Sequence, residues 1–337
     1  MVIILGAGPS GVACGYKLQR AGVECLLIDK MNFPREKICG GGLTPKAYEL
    51  IDKLFDGLQY EYRSIGKIEI RTVRKFITAF SLKKEIRTVV RNVFDETLLS
   101  AYRQAGGKFL VARVAKIEET GEKICLVLHD GTTLLCNTLV GADGANSFVR
   151  KYLQPDTPKG MLAMEKKNSD KSVPDIQVFF DRSYTWGYGY VFPNPQGSVV
   201  GYSFEGLNIS RFNNEIHKTG LNDAGKLKGA YIPMFDKLDY PFRKNILLTG
   251  DAGGYVDSIS GEGLYYALKT GENAATAILE DISFQLVNKG IIQRIQKLIR
   301  YSRIFYHPAF QKLFLFICSQ KWLKKKLEKI ADYYIAR

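Results

Sequence analysis

A chain of 337 residues, 46% of them hydrophobic, can bury a large core in one complex domain or two, which excludes a disordered chain. Three histidines (His129, His217, His307) and six scattered cysteines without CxxC or zinc spacing argue against a metal centre and a Ser-His-Asp hydrolase, and fit a reduced, cytoplasmic protein. The net charge of +14 is uneven: from Arg294 onward eleven Lys and Arg face two acids, Glu328 and Asp332, so nine of the fourteen charges lie in the tail.

No apolar run approaches the roughly 18 residues that span a bilayer, and a first strand starting at Val2 leaves no room for a signal peptide. That strand, Val2-Ile3-Ile4-Leu5, is uninterrupted and apolar, as suits a strand buried on both faces. Gly6-Ala7-Gly8-Pro9-Ser10-Gly11 follows, then a helix to about Ala21. Gly6 makes the tight turn, Gly8 lets a pyrophosphate approach the backbone, and Gly11 lets the helix pack close to the sheet. The helix start turns its free N–H groups towards the phosphates. Asp29, followed by Lys30, ends the second strand where a carboxylate accepts the adenosine ribose hydroxyls. The strand before, the helix after and the acid at this distance mark a dinucleotide site, either NAD or FAD.

Cys39-Gly40-Gly41-Gly42-Leu43 allows close contact with a flat ligand, and Thr44-Pro45 reads as an N-cap with proline at the first helical position, opening a helix to about Leu54. Strands are expected between Tyr60 and Leu82, with Lys75 to Phe80 pairing the alternating Lys67-Ile68-Glu69-Ile70-Arg71. Arg91 opens a helix that Ala105-Gly106-Gly107 stops. Short strands follow near Phe109 to Val114, Ile124 to Leu128 and Thr133 to Val140. Gly141-Ala142-Asp143-Gly144 is a second glycine-containing strand exit. From Asp156 to Leu238 aromatic residues crowd and short strands (Ile176 to Phe180, Tyr188 to Phe192, Ser198 to Phe204) suggest an antiparallel sheet that binds substrate. Asn245 to Thr249 returns to a buried parallel-type strand, before Gly250-Asp251, Gly261-Glu262-Gly263-Leu264 and a helix to about Leu279. Ile291 to Ile335 reads as two helices broken near Pro308.

The three glycine motifs in this order, with Asp29, Ser147 and Arg150, resemble the group A flavoproteins, and within them Cys39 to Leu43 and Tyr188-Gly189-Tyr190-Val191-Phe192-Pro193 resemble the geranylgeranyl reductase family. Tyr190 stands where that family commonly has Trp, and Asp257-Ser258-Ile259-Ser260 lacks the family's usual proline. The resemblance implies an α/β fold, α+β overall: a Rossmann-type FAD-binding domain with a parallel sheet, interleaved with an antiparallel-sheet substrate domain, and a C-terminal helical tail. The expected divisions are 1–58, 88–155 and 240–285 for FAD, 59–87 and 156–239 for substrate, and 286–337 for a basic helical region.

By the same resemblance FAD is held by Gly6, Ala7, Gly8, Pro9, Ser10, Gly11, Asp29, Lys30, Gly41, Gly42, Arg91, Val114, Asp143, Gly250, Asp251, Gly261, Gly263 and Leu264. Several of these have a plainer reading. Asp251 could cap a helix, Arg91 could be a solvated surface residue, and Asp143 is read rather as a turn that fixes the domain crossing, with Arg150 as its partner. The helix after Gly263 would favour the anion of reduced flavin.

The implied reaction is reduction of C=C bonds in an isoprenoid or lipid. Cys39, Tyr188 and Tyr190 are the catalytic candidates, weighed against a small buried thiol and core aromatics. The alternatives are a flavin monooxygenase or hydroxylase on the same fold, and a flavin-bearing membrane-associated binder without turnover. No second GxGxxG is present for a nicotinamide domain, so NADPH or NADH binds transiently or a ferredoxin-like carrier serves. Trp322 beside Lys321, Lys324, Lys325 and Lys326 reads either as a helix lying on an anionic membrane surface, the inner face of the cell membrane, or as one packed on the body. No nucleic-acid motif accompanies the charge.

Overall fold

The computed structural model of the chain describes residues 1–155, 160–219, 225–233, 243 and 245–336. It opens with β1 (Val2–Leu5), α1 (Pro9–Arg20) and β2 (Cys25–Asp29), a βαβ unit whose first strand is buried throughout. β3 (Gly42–Leu43) and α2 (Pro45–Leu54) lead into the long hairpin β4 (Arg63–Arg71) and β5 (Phe76–Thr88). α3 (Arg91–Gln104) returns the chain to β6 (Lys108–Val111). A meander of β7 (Val114–Thr120), β8 (Lys123–Leu128) and β9 (Thr133–Cys136) precedes β10 (Thr138–Gly141) and α4 (Phe148–Leu153).

The next stretch holds β11 (Met161–Asn168), β12 (Ile176–Phe179), β13 (Tyr188–Asn194), β14 (Gly197–Ser203), α5 (Ile209–Lys218) and β15 (Lys228–Ile232). β16 (Ile246–Leu248) re-enters the first sheet, and α6 (Leu264–Leu279), α7 (Phe284–Phe305), α8 (Pro308–Ser319) and α9 (Lys324–Ala336) complete the chain.

The first sheet is parallel, in the order β16-β10-β1-β2-β6, so strands far apart in sequence bring all three glycine motifs to one end. The second runs β15-β11-β14-β13-β12-β4-β5-β3, antiparallel except for the β12–β4 pair. β7, β8 and β9 form a small antiparallel sheet of their own. The architecture is therefore the mixed α/β one expected, with a helical C-terminus. α1 and α6 touch backbone to backbone: a Cβ on Gly271 would lie 2.1 Å from the Ser10 carbonyl oxygen. A core of Ile4, Val12, Leu27, Phe94, Leu98, Tyr102 and Leu268 fills the layer beside them.

Three expectations change. Thr133 to Val140 is not one strand: β9 and β10 belong to different sheets, separated by Asn137, whose N–H donates to the Met1 carbonyl. The partner of β4 continues to Thr88 rather than stopping at Phe80. The tail holds three α-helices, with a second break over Lys321–Leu323 in addition to the one at Pro308. The boundaries expected near Asp156 and Leu238 lie outside the described residues.

Candidate active site

At the end of β1, Gly6 has φ +109° and a Cβ there would lie 2.3 Å from the Ala142 carbonyl oxygen, so the first two glycine motifs meet through bare backbone. A Cβ on Gly11 would lie 1.9 Å from the Gly6 carbonyl oxygen and 3.2 Å from Ile4, which folds the first turn of α1 onto the strand exit. Gly8 is the N-cap of α1 and has no side chain to cap it, while Pro9 at the first position has no N–H to leave unpaired. These are the features of a loop that takes its acceptors from a ligand. Ser10 supports this directly: its Oγ is buried and has no hydrogen-bond partner. Asp29, also buried, accepts from the Ala7 N–H at 2.8 Å and the Met31 N–H at 2.9 Å, leaving each oxygen a lone pair for a ribose hydroxyl. Lys30 beside it is exposed.

Arg91 is not a solvated surface residue. It opens α3, is 7% exposed, and makes a two-pronged bond from Nε and Nη2 to Asp95 at 2.9 Å each. Burial opposes its charge, but Asp95 and the neighbouring Cys39 thiol more than offset this and raise its pKa. The guanidinium over the Gly6–Gly11 loop is that of Arg35: a Gly8 Cβ would sit 3.3 Å from its Nη2, which is also 3.5 Å from Asp95. Arg35 and Asp95 were missed by the sequence reading because nothing local says that a loop arginine folds back onto an acid of α3, far along the chain.

The third motif closes from the other side. Gly250 takes φ +53° after β16 and donates its N–H to Thr270 Oγ1 at 2.8 Å. Asp251 is half-buried with Lys37 Nζ at 3.8 Å, and does not cap a helix through its side chain among the described contacts. A Cβ on Gly263 would lie 3.4 Å from Asp251 Oδ1, and one on Gly261 would lie 3.2 Å from Tyr188 Oη. Gly263 starts α6 without a side-chain cap, and Leu264 behind it is buried. Between the two glycines, Glu262 pairs with Lys46 at 2.8 Å and accepts from Thr44 Oγ1 at 2.5 Å. Thr44 is the N-cap residue of α2, with Pro45 first in the helix as expected, but its hydroxyl ties the helix start to the third motif. Burial raises the Glu262 pKa, against the pull of Lys46 and Thr44.

Other candidates also make scaffold contacts. Asp143 accepts from Ser147 Oγ at 2.5 Å and the Phe148 N–H at 2.6 Å, holding the start of α4. Arg150 reaches across to the third motif, donating to the Ala252 carbonyl at 3.2 Å. Gly41 has φ +74° and abuts Val89, whose carbonyl oxygen would lie 2.1 Å from a Cβ, while Cβ atoms on Gly40 and Gly42 would each lie 2.9 Å from the Phe192 ring. Val114 begins β7 in a core with Leu5 and Ile28.

Tyr188, Tyr190 and Phe192 share one face of β13, with ring centroids 6.0 and 5.6 Å apart in succession. This face lies between the Cys39–Gly42 loop, touched by Phe192, and the Ser260–Gly261 turn, where Tyr188 Oη donates to the Ser260 carbonyl. Cys39 Sγ accepts from the Gly41 N–H at 3.4 Å. Glu165 on β11, absent from the sequence reading, joins this group: Tyr190 Oη donates to its Oε1 at 2.5 Å. The tail also reaches the site. Tyr334 of α9 donates to the fully buried Asp257, and Tyr306 at the end of α7 to the Ile259 carbonyl at 2.5 Å. No group of residues suited to a metal occurs among the described residues.

A family model described as "FAD binding domain" matches residues 1–180. Over 323 residues the chain is 29% identical to an uncharacterised protein of Methanosarcina barkeri, covering 91% of this chain and 82% of that one. It is 26% identical to a menaquinone reductase of Mycobacterium tuberculosis (81% and 75% covered) and 27% identical to a geranylgeranyl diphosphate reductase of Rhodobacter capsulatus (82% and 74%). Among solved structures, a geranylgeranyl bacteriochlorophyll reductase-like protein of Thermoplasma acidophilum superposes with TM-score 0.80 at 18% identity (95% and 91% covered). Klebsiella pneumoniae HpxO, complexed with FAD and uric acid, superposes with TM-score 0.76 at 15% identity (99% and 96% covered).

Proposed function

Because the chain belongs to the FAD-binding domain family of oxidoreductases, we propose that its reaction is the reduction of C=C bonds in an isoprenoid or related lipid. FAD bound here and reduced by an external donor would supply the hydride. The Gly6–Gly11 loop and the start of α1 take the pyrophosphate, with Ser10 Oγ as a ready donor and Arg35 above Gly8. Asp29 takes the ribose, and Asp251 with the N-terminus of α6 takes the flavin side, where the helix end favours negative charge.

An isolated alkene accepts hydride poorly, so a proton must arrive with it or before it. The observation that carries the reading is the aromatic face of β13, turned towards the loops assigned to the flavin. Such a wall excludes water and steadies a transient positive carbon. Two relatives at 26–27% identity are named menaquinone reductase and geranylgeranyl diphosphate reductase, which supports an isoprenoid-bearing substrate.

Mass spectrometry of lipids from cells with and without the protein tests this. A gain of two hydrogens per double bond is expected. Unchanged lipids together with rapid, substrate-dependent oxygen uptake by the purified protein would replace the reading with a monooxygenase.

We further infer that α8 and α9 rest on an anionic membrane surface. Phe316, Trp322, Ile330 and Tyr333 are 57–79% exposed, and Lys321, Lys324, Lys325, Lys326 and Lys329 are exposed among them. Only two acids stand against these five lysines: Glu328 pairs with Lys324 at 4.0 Å and also accepts the Ser81 N–H, and Asp332 accepts the Lys83 N–H. No helix among the described residues is long and apolar enough to cross a membrane.

A further inference from the structure

Glu165, Gly201 and Tyr190 lie opposite one another on three adjacent strands, β11, β14 and β13. The middle position is the reason the outer two meet. A Cβ on Gly201 would fall 2.4 Å from Tyr190 Cζ and 2.5 Å from its Oη, so the phenol crosses over bare backbone to reach the carboxyl. Glu165 is 7% exposed and Tyr190 is 7% exposed. The groups facing Glu165 are the Tyr190 hydroxyl, the Cys39 backbone N–H, and the more distant cations Lys37 and Arg91. A carboxyl removed from water beside so few compensating charges keeps its proton to higher pH: burial pushes Glu165 up to about 7, against the pull of Tyr190, Cys39 and the two cations. Tyr190 stands between Tyr188 and Phe192 on the face turned to the Cys39–Gly42 loop and the Ser260–Gly261 turn.

We infer that Tyr190 is the proton donor of the reaction and that Glu165, acting through it, is the store from which the donor is refilled. The inference rests on the alkene-reduction reading above. In the step, the Tyr190 O–H bond breaks and a C–H bond forms at one alkene carbon, while the other carbon receives the hydride and its electron pair from the reduced flavin. The Glu165 carboxyl proton passes to the phenolic oxygen, leaving a carboxylate that water reprotonates between turnovers. The alkene is reduced and the flavin is oxidised by two electrons. A charged Glu165 cannot refill the phenol, so the step slows as pH rises through about 7.

The test uses FAD-loaded protein with Glu165→Gln and Tyr190→Phe, which keep shape and packing; bound yellow flavin reports folding. Infrared difference spectra across the neutral range should show a carboxylic C=O band that disappears near pH 7 in the wild type. The band should be missing in Glu165→Gln and displaced in pH in Tyr190→Phe. With dithionite-reduced flavin and geranylgeraniol in detergent, both variants should reoxidise at least about tenfold more slowly, with the pH dependence flattened in Glu165→Gln. Reduction of the flavin by dithionite should be unchanged in both. Variants with wild-type rate and pH profile would overturn the inference, as would a Glu165 that is ionised throughout. A wild type that reduces no prenyl double bond while its carboxyl band still titrates would sink the reaction reading, and the donor role with it, leaving a coupled buried acid that serves the fold.

Discussion

Lys46 is a buried cation whose worth depends on a single acid. It is 7% exposed, pairs with Glu262, and with Thr44 fixes that acid between Gly261 and Gly263. Lys46→Met should cost on the order of 3–5 kcal/mol in denaturant unfolding at neutral pH, since it strands a carboxylate in the interior. The loss should shrink in acid, where Glu262 is neutral. Glu165 gives a different signature. Its pKa is about 7 in the fold against an ordinary 4.5, so the native state holds the proton longer than the unfolded chain does. Its contribution is greatest below about 4.5 and is lost as pH rises through about 7, a swing of roughly 3 kcal/mol. The thermal midpoint of Glu165→Gln should therefore gain on that of the wild type as pH rises over this window. The two acids differ in how visible they were. Glu262 sits inside a glycine motif, whereas Glu165 lies where the apolar run Met161–Met164 gives way to polar residues, and is singled out only by Gly201 across the sheet.

Gly271 shows how a helix pair is specified. In an isolated helix, Ala in its place would gain about 1 kcal/mol. Here the added carbon would press within 2.1 Å of the Ser10 carbonyl, a backbone atom with nowhere to go. Gly271→Ala should therefore be net destabilising, by at least about 2 kcal/mol. Because Ser10 belongs to the loop proposed to take the pyrophosphate, the variant should also bind FAD more weakly, read by fluorescence titration. Local sequence served well where one element carries its own start and stop. Val2 to Asp29, the helix opened by Arg91 and the one opened by Leu264 were all legible from runs, glycines and spacing. It failed where sheet membership changes within one apolar run, as at Asn137, and where a helix ends without glycine or proline, as at Gln320. β11 was missed because Lys166 and Lys167 break its apolar pattern.

At the scale of the molecule, the distribution of charge makes a prediction that the fold alone would not. Reversing Lys321, Lys324, Lys325 and Lys326 to Glu should abolish co-sedimentation with vesicles containing phosphatidylserine, since each lysine near such a surface contributes about 1 kcal/mol. Binding to neutral vesicles should be weak in both proteins. Equal binding of the reversed variant to anionic vesicles would show that the tail is only a covering for the body.

That covering has a second side. β3 pairs only with Arg87 and Thr88, so the outer edge of β5 is closed further along by Glu328 and Asp332 of the last helix, while Tyr334 grips the turn that leads into α6. The final helix is thus a latch fastened at one end to a strand edge and at the other to the Asp257 turn, beside the place proposed for the flavin. Saturating the protein with FAD should slow carboxypeptidase digestion of the C-terminus. Conversely, trimming the chain before Lys324 should let the yellow colour leak away on dialysis.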